Sequence, residues 1–502
     1  MNERSLLIRA DANSLMGTGH LMRCLALAQS WKDSGGEVTF ITACDSAGLL
    51  QRLTDEGFNV IRLGGAHPDP ADWTSTSQVL AEHPNAWVVL DGYHFDTAYQ
   101  IRVKDAGHRL LVIDDMADLE HYYADIVLNQ NLHAEGLQYS CEPYTQLLLG
   151  SRYVLLRREF LTWSNWRREI PDLARKVLVT LGCGDPDNVT VKVIRAIGSL
   201  SSEDLDVRIV VEPSSPQTAL LNEAIDRLPF NIHLLPFVED MPGLMAWADM
   251  AVSGGGSTCW EMAFMGLPNV VVVLADNQRS IAEYLDKMGV SIDLGWHESV
   301  SAENVLKALS TIMNSRRQRI VNAEKGRNLI DGEGVARLCM ILEERELRLR
   351  PARKEDCGML WEWANDPDVR SASYSTEAIS WEDHLNWFNG VAADPNCHIW
   401  VAVDSEDKPL GEIRFEAIGQ KEAKIGVSIG REYRRKGFGS MLISLGVQEA
   451  FSRTSMQLLH AYVRQGNEAS IRAFERAKFV ARGTEVISGV ESHHYVLERS
   501  DA

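Results

Sequence analysis

The chain has 502 residues, too many for one hydrophobic core, so roughly two to four domains are expected. Its 45% hydrophobic and 24% charged residues are those of a folded chain, and no run of 18 apolar residues exists to form a membrane-spanning helix. A net charge of −20 argues against a general binder of nucleic acid or of an anionic membrane, but not against a binder of small anions, which local loops and helix ends decide. The eight cysteines are scattered, with no Cys-x-x-Cys pair, which argues against a disulfide framework or a zinc site and for a reducing cytoplasm. Met1 to Arg4 leads into a short strand and not into a signal-peptide apolar region.

Ser5 to Ile8 reads as a strand, and Leu21, Leu25, Ala28 and Trp31 repeat at helical spacing. Between them lies Arg9-Ala10-Asp11 and Gly17-Thr18-Gly19-His20-Leu21-Met22-Arg23, a strand-to-helix loop with His20 at the helix start. The positive end of the helix and Arg23, one turn on, both act against an imidazolium and favour an imidazole able to accept a proton. A lone histidine more often caps or packs; the surrounding Gly and Asp pattern marks this one as a water-activating base beside an anion-binding loop. Strands follow at Glu37–Thr42, Trp87–Leu90, Leu110–Ile113 and Ile126–Leu128. They end in Asp91-Gly92-Tyr93, Asp114-Asp115 and Asn129-Gln130-Asn131, the pattern of a parallel sheet whose carboxyl edge carries a site. Asp11, Asp91, Asp114 and Asn129 are expected along that rim. Each alone is more often a turn or cap residue, and their repeated position at strand ends is the better signal.

Arg152 to Pro171 is basic and aromatic, with Arg157-Arg158, Trp163, Trp166 and Arg167-Arg168, and reads as an amphipathic hinge packed between two lobes. A second alternating domain opens with the strand Lys176–Thr180 and the turn Gly182-Cys183-Gly184-Asp185, then a helix with Val189, Val193 and Ile197 on one face. Further strands are expected at Val207–Val211, Ile232–Leu235, Met250–Val252 and Val270–Leu274. The sharpest motif is Ser253-Gly254-Gly255-Gly256-Ser257-Thr258, followed by a helix carrying Glu261. Glycines let backbone N–H groups approach a diphosphate, the Ser257 and Thr258 hydroxyls add donors, and a helix carboxylate can accept two ribose hydroxyls. The polar cluster Asn277-Gln278 follows the last strand.

A third domain is placed after a boundary near 345. Trp361, Trp363, Trp381, Trp387 and Phe388 crowd amphipathic helices, as core or pocket wall. Strands at Leu347–Ala352, Ile399–Val403, Leu410–Phe415 and Ile425–Ile429 precede Arg434-Arg435-Lys436-Gly437-Phe438-Gly439-Ser440, a basic loop opening a helix and suited to a pyrophosphate.

Two resemblances follow from these motifs. Residues 1 to about 345 resemble the hydrolase of pseudaminic acid biosynthesis that removes UDP from UDP-2,4-diacetamido-2,4,6-trideoxy-β-L-altropyranose. The resemblance rests on Arg9-x-Asp11, Gly17-x-Gly19-His20-x-x-Arg23, Asp91-Gly92-Tyr93, Gly182-x-Gly184-Asp185, Ser253 to Glu261 and Asn277-Gln278. It implies an α/β chain with two Rossmann-like lobes of glycosyltransferase type B, 1–155 and 156–345. It implies His20 as base for water at the anomeric carbon, with Asp11 orienting and Asn277 positioning. Gly17, Gly19, Arg23, Asp91, Tyr93, Gly182, Gly184, Asp185, Gly255, Gly256, Ser257, Thr258, Glu261 and Gln278 would hold the UDP-sugar. Cys183 stands where that family more often has glycine.

Residues 346–502 resemble the Gcn5-related N-acetyltransferases, and within them the enzyme acetylating the 4-amino group of the same UDP-sugar. The matches are Arg434-x-x-Gly437-x-Gly439-Ser440 and Asn467-x-x-Ser470-x-x-x-Phe474-x-x-x-x-Phe479. They imply acetyl-CoA as co-substrate, held by Val427, Ile429, Arg434, Arg435, Lys436, Gly437, Phe438, Gly439, Ser440, Asn467, Ser470 and Phe474. Phe474 replaces the tyrosine that usually protonates the thiolate, which leaves Tyr462 and Tyr495 as candidates. No metal, no nucleic acid and no membrane partner is expected, and the oligomeric state stays open. The same nucleotide loops would serve a glycosyltransferase or a hydrolysing epimerase, and the third domain would also fit a protein N-acetyltransferase or a non-catalytic acetyl-CoA-binding module.

Overall fold

The computed structural model describes residues 4–501, apart from 14–15, 183–184, 201–203, 212–217, 227, 229, 231, 237, 344–346, 395, 405–406 and 435–437. The chain forms two compact units, Met1–Val335 and Ala336–Ala502.

The first lobe of the first unit alternates strand and helix. Its elements are β1 (Ser5–Ala10), α1 (Gly19–Asp33), β2 (Glu37–Thr42), α2 (Ala47–Asp55), β3 (Asn59–Arg62), α3 (Pro70–Glu82), β4 (Trp87–Asp91), α4 (Thr97–Asp105), β5 (Arg109–Ile113), β6 (Ile126–Asn129) and β7 (Gln146–Leu149). Every pairing is parallel and the strand order is β3-β2-β1-β4-β5-β6-β7. The strands read as near-continuous apolar runs because helices cover both faces: Leu6, Ile8, Val89, Leu111 and Val127 are all fully buried.

The second lobe repeats the plan. A short helical turn, α5 (Arg158–Leu161), leads to β8 (Lys176–Thr180), α6 (Val189–Gly198), β9 (Asp206–Val210), α7 (Thr218–Ile225), β10 (Ile232–Leu235), α8 (Met241–Trp247), β11 (Met250–Gly254), α9 (Thr258–Phe264), β12 (Asn269–Val273), α10 (Arg279–Met288), β13 (Ser291–Trp296), α11 (Ala302–Asn314) and α12 (Arg316–Leu329); α13 (Gly334–Leu342) then runs into the second unit. The sheet is again all parallel, ordered β10-β9-β8-β11-β12-β13. In both sheets the order reverses beside the first strand, between β1 and β4 and between β8 and β11. Ligands of open parallel sheets bind at the carboxyl ends of such switch points.

The basic connector packs as its composition suggests. Half-buried Arg168 donates to the carbonyls of Met245, Ala248 and Gly266, closing the ends of α8 and α9. That burial without a carboxylate partner brings its guanidinium down to about 10. Trp163 and Trp166 meet edge to face beside it.

The second unit has a mixed sheet. β14 (Arg348–Pro351) precedes α14 (Cys357–Ala364), α15 (Pro367–Ala372) and α16 (Trp381–Ala393). Then come β15 (Cys397–Val403), β16 (Pro409–Ala417), β17 (Glu422–Ile429), α17 (Phe438–Arg453), β18 (Leu458–Arg464), α18 (Glu468–Arg476), β19 (Val480–Ile487) and β20 (Val490–Glu498). The order is β14-β15-β16-β17-β18-β20-β19, antiparallel except for β17 with β18. That parallel pair holds only from Glu422 to Lys424 against Leu458 to His460. Beyond it the strands part, leaving the β17 edge from Ile425 to Ile429 unpaired on that side. Ile413, Phe415, Leu442, Ile443 and Val447 form the core between this sheet and α17. Among the described residues no helix is long and apolar enough to cross a membrane.

Candidate active site

The switch point of the first lobe gathers a buried charge network. Gly17 adopts φ +79°, a left-handed conformation that turns the chain from β1 into α1. His20 then sits in the first turn of α1, and its Nδ1 lies 2.6 Å from Asp91 Oδ1 at the end of β4. Fully buried Asp91 also accepts from Arg23 Nε and Nη2, both at 2.7 Å. Arg23 Nη1 reaches both oxygens of Asp115, at 2.9 and 3.0 Å. Asp115 accepts further from Tyr93 Oη at 2.6 Å and from Asn131 Nδ2 at 2.8 Å. Burial would raise the Asp91 and Asp115 carboxyls; Arg23, aided by His20 and by Tyr93, outweighs it and holds both below the usual range. Because Asp91 accepts only, Nδ1 is the donor of this pair, and in the neutral imidazole the lone pair is then on Nε2. No described residue hydrogen-bonds Nε2.

Several expectations change here. His20 is oriented by Asp91 and not by Asp11. Asp11 is held by both Arg9 amino groups, by the Ala43 N–H and by His94 Nε2 at 3.0 Å. Arg23 does not act on His20 as a free cation, since two carboxylates neutralise it. Asp114 is turned into the fold, accepting from Tyr122, Tyr139 and the N–H groups of Met116 and Ala117. Its neighbour Asp115 takes the place at the site. Asn129 likewise serves locally, bonding Tyr139 and the N–H of Asn131.

The second lobe faces this network with its own switch-point loops. A Cβ added at Gly19 would lie 3.7 Å from Ser257 Oγ, so the two glycine loops meet. Asn277 Nδ2 donates across the cleft to Tyr93 Oη at 2.7 Å. Gln278 Oε1 accepts from the N–H groups of Gly255 and Leu274, both at 3.0 Å, and thus braces the glycine loop. Gly255 and Gly254 leave little room for a side chain: an added Cβ would meet Gln278 Cβ at 3.0 Å and the Leu181 carbonyl at 3.1 Å, respectively. Gly256, Ser257 and Thr258 lead into α9, and Glu261 Oε1 accepts from Arg157 Nη2 at 2.7 Å and Nε at 3.1 Å. Gly182 is left-handed at φ +80°. The Asp185 carboxylate is taken by the Thr190 N–H at the start of α6, and Cys183 and Gly184 lie outside the described residues.

In the second unit, Val427 and Ile429 lie on the unpaired edge of β17. Arg434 donates through Nε to the Ile429 carbonyl at 2.9 Å and through Nη1 to Asp366 at 2.6 Å, so its guanidinium braces the strand end against the α15 cap. Arg435, Lys436 and Gly437 lie outside the described residues; Phe438, Gly439 and Ser440 form the first turn of α17. Asn467 caps α18 by accepting from the Ser470 N–H at 3.2 Å. Phe474 is buried edge-on to Phe479. Tyr495 donates to Glu475 at 3.1 Å, and burial with that carboxylate pushes its phenol up to about 12. Tyr462, on the opposite face of the sheet, stacks on His494.

The chain matches known families in both units. Residues 346–480 match the acetyltransferase (GNAT) domain, and residues 177–334 match the glycosyltransferase family 28 C-terminal domain. An uncharacterized protein of Methanocaldococcus jannaschii is 23% identical over 496 residues, covering 94% of this chain and 96% of its own. The UDP-2,4-diacetamido-2,4,6-trideoxy-β-L-altropyranose hydrolase of Campylobacter jejuni is 23% identical over 297 residues, 57% of this chain and 98% of its own. Acetyltransferase PseH of Campylobacter jejuni is 22% identical over 147 residues, 29% of this chain and 88% of its own. The chain resembles a fusion of these two enzymes. The two parallel-sheet lobes precede the domain whose residues match the acetyltransferase (GNAT) model, and only the second lobe carries the glycosyltransferase family 28 match.

Proposed function

We propose that the chain carries two consecutive steps of a nucleotide-sugar pathway. The C-terminal domain transfers acetyl from acetyl-CoA to the amine of UDP-4-amino-4,6-dideoxy-N-acetyl-β-L-altrosamine. The N-terminal lobes then hydrolyse the diacetamido product to UDP and free sugar. The observation that supports the hydrolase most is the His20–Asp91 pair, its free Nε2 beside two opposed glycine loops. In this reading His20 takes a proton from water as the oxygen attacks the anomeric carbon. The sugar C–O bond breaks, and the electron pair leaves with UDP. Asp91 fixes the imidazole tautomer and steadies the imidazolium that forms. Asn277 and Tyr93 position sugar or water from opposite lobes. Ser257, Thr258 and loop N–H groups receive the diphosphate, and Glu261, steadied by Arg157, accepts the ribose hydroxyls.

For acetyl-CoA, the unpaired β17 edge at Val427 and Ile429 offers backbone groups to the pantetheine, and the start of α17 offers N–H groups to the pyrophosphate. These residues fit the co-substrate. The glycosyltransferase family 28 match favours a second reading, transfer of the sugar to an acceptor. Turnover in ¹⁸O-water separates the two: hydrolysis with C–O cleavage puts the label on the free sugar and none on UDP. Intact UDP-sugar without an acceptor, and sugar consumption only with one, would establish transfer instead.

A further inference from the structure

On one face of the second unit's sheet, two facing oxygens are left without a hydrogen bond among the described residues. β16 turns Ile413 and Phe415 into the core and Glu412, Arg414 and Glu416 to the other face. On β17 the same face carries Lys424, Gly426 and Ser428, and the register sets Glu412 opposite Ser428 and Arg414 opposite Gly426. Arg414 lies flat over Gly426, under the ring of Trp387 from α16, and donates to Glu416 at 2.5 Å. Glu412 Oε1 is left 4.0 Å from that guanidinium. Glu412 Oε2 and Ser428 Oγ are both sealed from solvent and, among the described residues, have no hydrogen-bond partner. One guanidinium thus stands between two carboxylates: Glu416 takes its hydrogen bond, and Glu412 has only a long ion pair with it. Burial, opposed by Arg414 and reinforced by Glu416, raises its carboxyl, which strengthens it as a proton acceptor.

A buried carboxylate without a partner is costly unless a ligand completes it. Its place tells which ligand. Ser428 lies on β17 itself, between Val427 and Ile429 where the thioester is proposed to lie, and Glu412 is paired with it one strand in, on β16. Trp363 of α14 closes the far end, its Cζ2 3.3 Å from where a Gly430 Cβ would stand. A cationic amine meets both needs: it neutralises the carboxylate and brings nitrogen beside the strand opening.

We propose that Glu412 is the residue that receives the acceptor ammonium and takes its proton, with Ser428 Oγ as a second acceptor of its N–H groups. This rests on the reading of the domain as an amine acetyltransferase. Glu412 removes one proton from the ammonium. The neutral nitrogen attacks the acetyl carbonyl, the C–N bond forms, and the C–S bond breaks with its electron pair on sulfur. The second nitrogen proton ends on the thiolate, and Glu412 returns its own to solvent.

The test compares Glu412→Gln, Glu412→Asp and Ser428→Ala in the full chain, reading acetyl transfer to the UDP-4-amino sugar and acetyl-CoA binding separately. Glu412→Gln should lower kcat/KM for the amine by about 10²-fold or more, while the acetyl-CoA Kd and the thermal midpoint hold. Glu412→Asp should restore part of kcat, which a packing role would not. Glu412→Gln within about threefold of wild type, with acetyl-CoA still bound, overturns the assignment. Loss of acetyl-CoA binding in the folded Glu412→Gln chain also overturns it. A wild type that acetylates spermidine or a peptide N-terminus instead, and loses this in Glu412→Gln, keeps the Glu412 role and removes the sugar assignment. A wild type that binds acetyl-CoA and acetylates none of the three amines overturns both.

Discussion

Replacing Asp91 by asparagine should silence the hydrolase through a tautomer, not through lost geometry. Asp91 accepts three short hydrogen bonds, two from Arg23 and one from His20. Asparagine has one acceptor oxygen and one NH₂ group. Arg23 can only donate, so the amide oxygen must stay on Arg23 and the NH₂ must turn to His20. His20 Nδ1 then has to accept, and the ring hydrogen moves to Nε2, which loses the lone pair that takes the proton from water. A tautomer error of this kind in a His–Asp pair costs about 10⁴-fold in kcat, or about 5 kcal/mol of barrier at 1.36 kcal/mol per decade. Half-unpairing buried Arg23 also costs stability, by up to about 3–5 kcal/mol. The assay supplies the diacetamido UDP-sugar directly and reads UDP release, with circular dichroism to confirm folding. Acetylation of the 4-amino sugar by the same preparation is the internal control. A folded Asp91→Asn chain with kcat within about tenfold of wild type would refute the tautomer argument.

Further outcomes follow from the same geometry. Tyr93→Phe removes the hydroxyl that joins Asp115 to Asn277, and kcat for UDP release should fall about 10-fold with a smaller change in KM, read by steady-state kinetics. Gly255→Ala drives a methyl group to 3.0 Å from Gln278, and should cost about 1–3 kcal/mol in denaturant unfolding and weaken UDP binding measured by calorimetry. Glu261→Gln loses a carboxylate held by Arg157 and should raise KM for the UDP-sugar about 10-fold with kcat largely kept. Asp11, Asp91 and Asp115 all sit below the usual carboxylate range: burial opposes this, and His94 with Arg9, or Arg23, outweighs it. Lowered carboxyls contribute stability that is complete above their unfolded value of about 3.9 and lost as pH falls through it toward the folded value. The thermal midpoint of the first unit should therefore drop steeply below about pH 4, and a midpoint flat to about pH 3 would contradict the network.

The parallel strands and the helix start at His20 were legible because burial on both faces writes apolar runs, and strand ends write polar residues. Side-chain partners were not. Asp11 and Asp91 end adjacent strands, and nothing in their spacing tells which one His20 meets; that depends on Arg9, which claims Asp11. Asp114 and Asp115 are consecutive, so the pleat sends them opposite ways, and the sequence does not say which way. The Arg157–Glu261 and Asn277–Tyr93 bonds span more than a hundred residues and follow only from two lobes closing on each other. Arg434 carries the motif of a pyrophosphate loop, yet Asp366, on a helix 68 residues earlier, takes its guanidinium. Glu412 lay in an ordinary alternating strand, and only the missing partner at its carboxylate sets it apart.

The central claim is that acetylation and hydrolysis occur in order on one chain. Real-time NMR of the full chain with the UDP-4-amino sugar, with and without acetyl-CoA, beside His20→Ala, tests it most directly. UDP and free diacetamido sugar should form only when acetyl-CoA is present, and the acetylated UDP-sugar should accumulate in His20→Ala. UDP release from the amino sugar without acetyl-CoA would contradict the order, and unchanged release by His20→Ala would contradict the base.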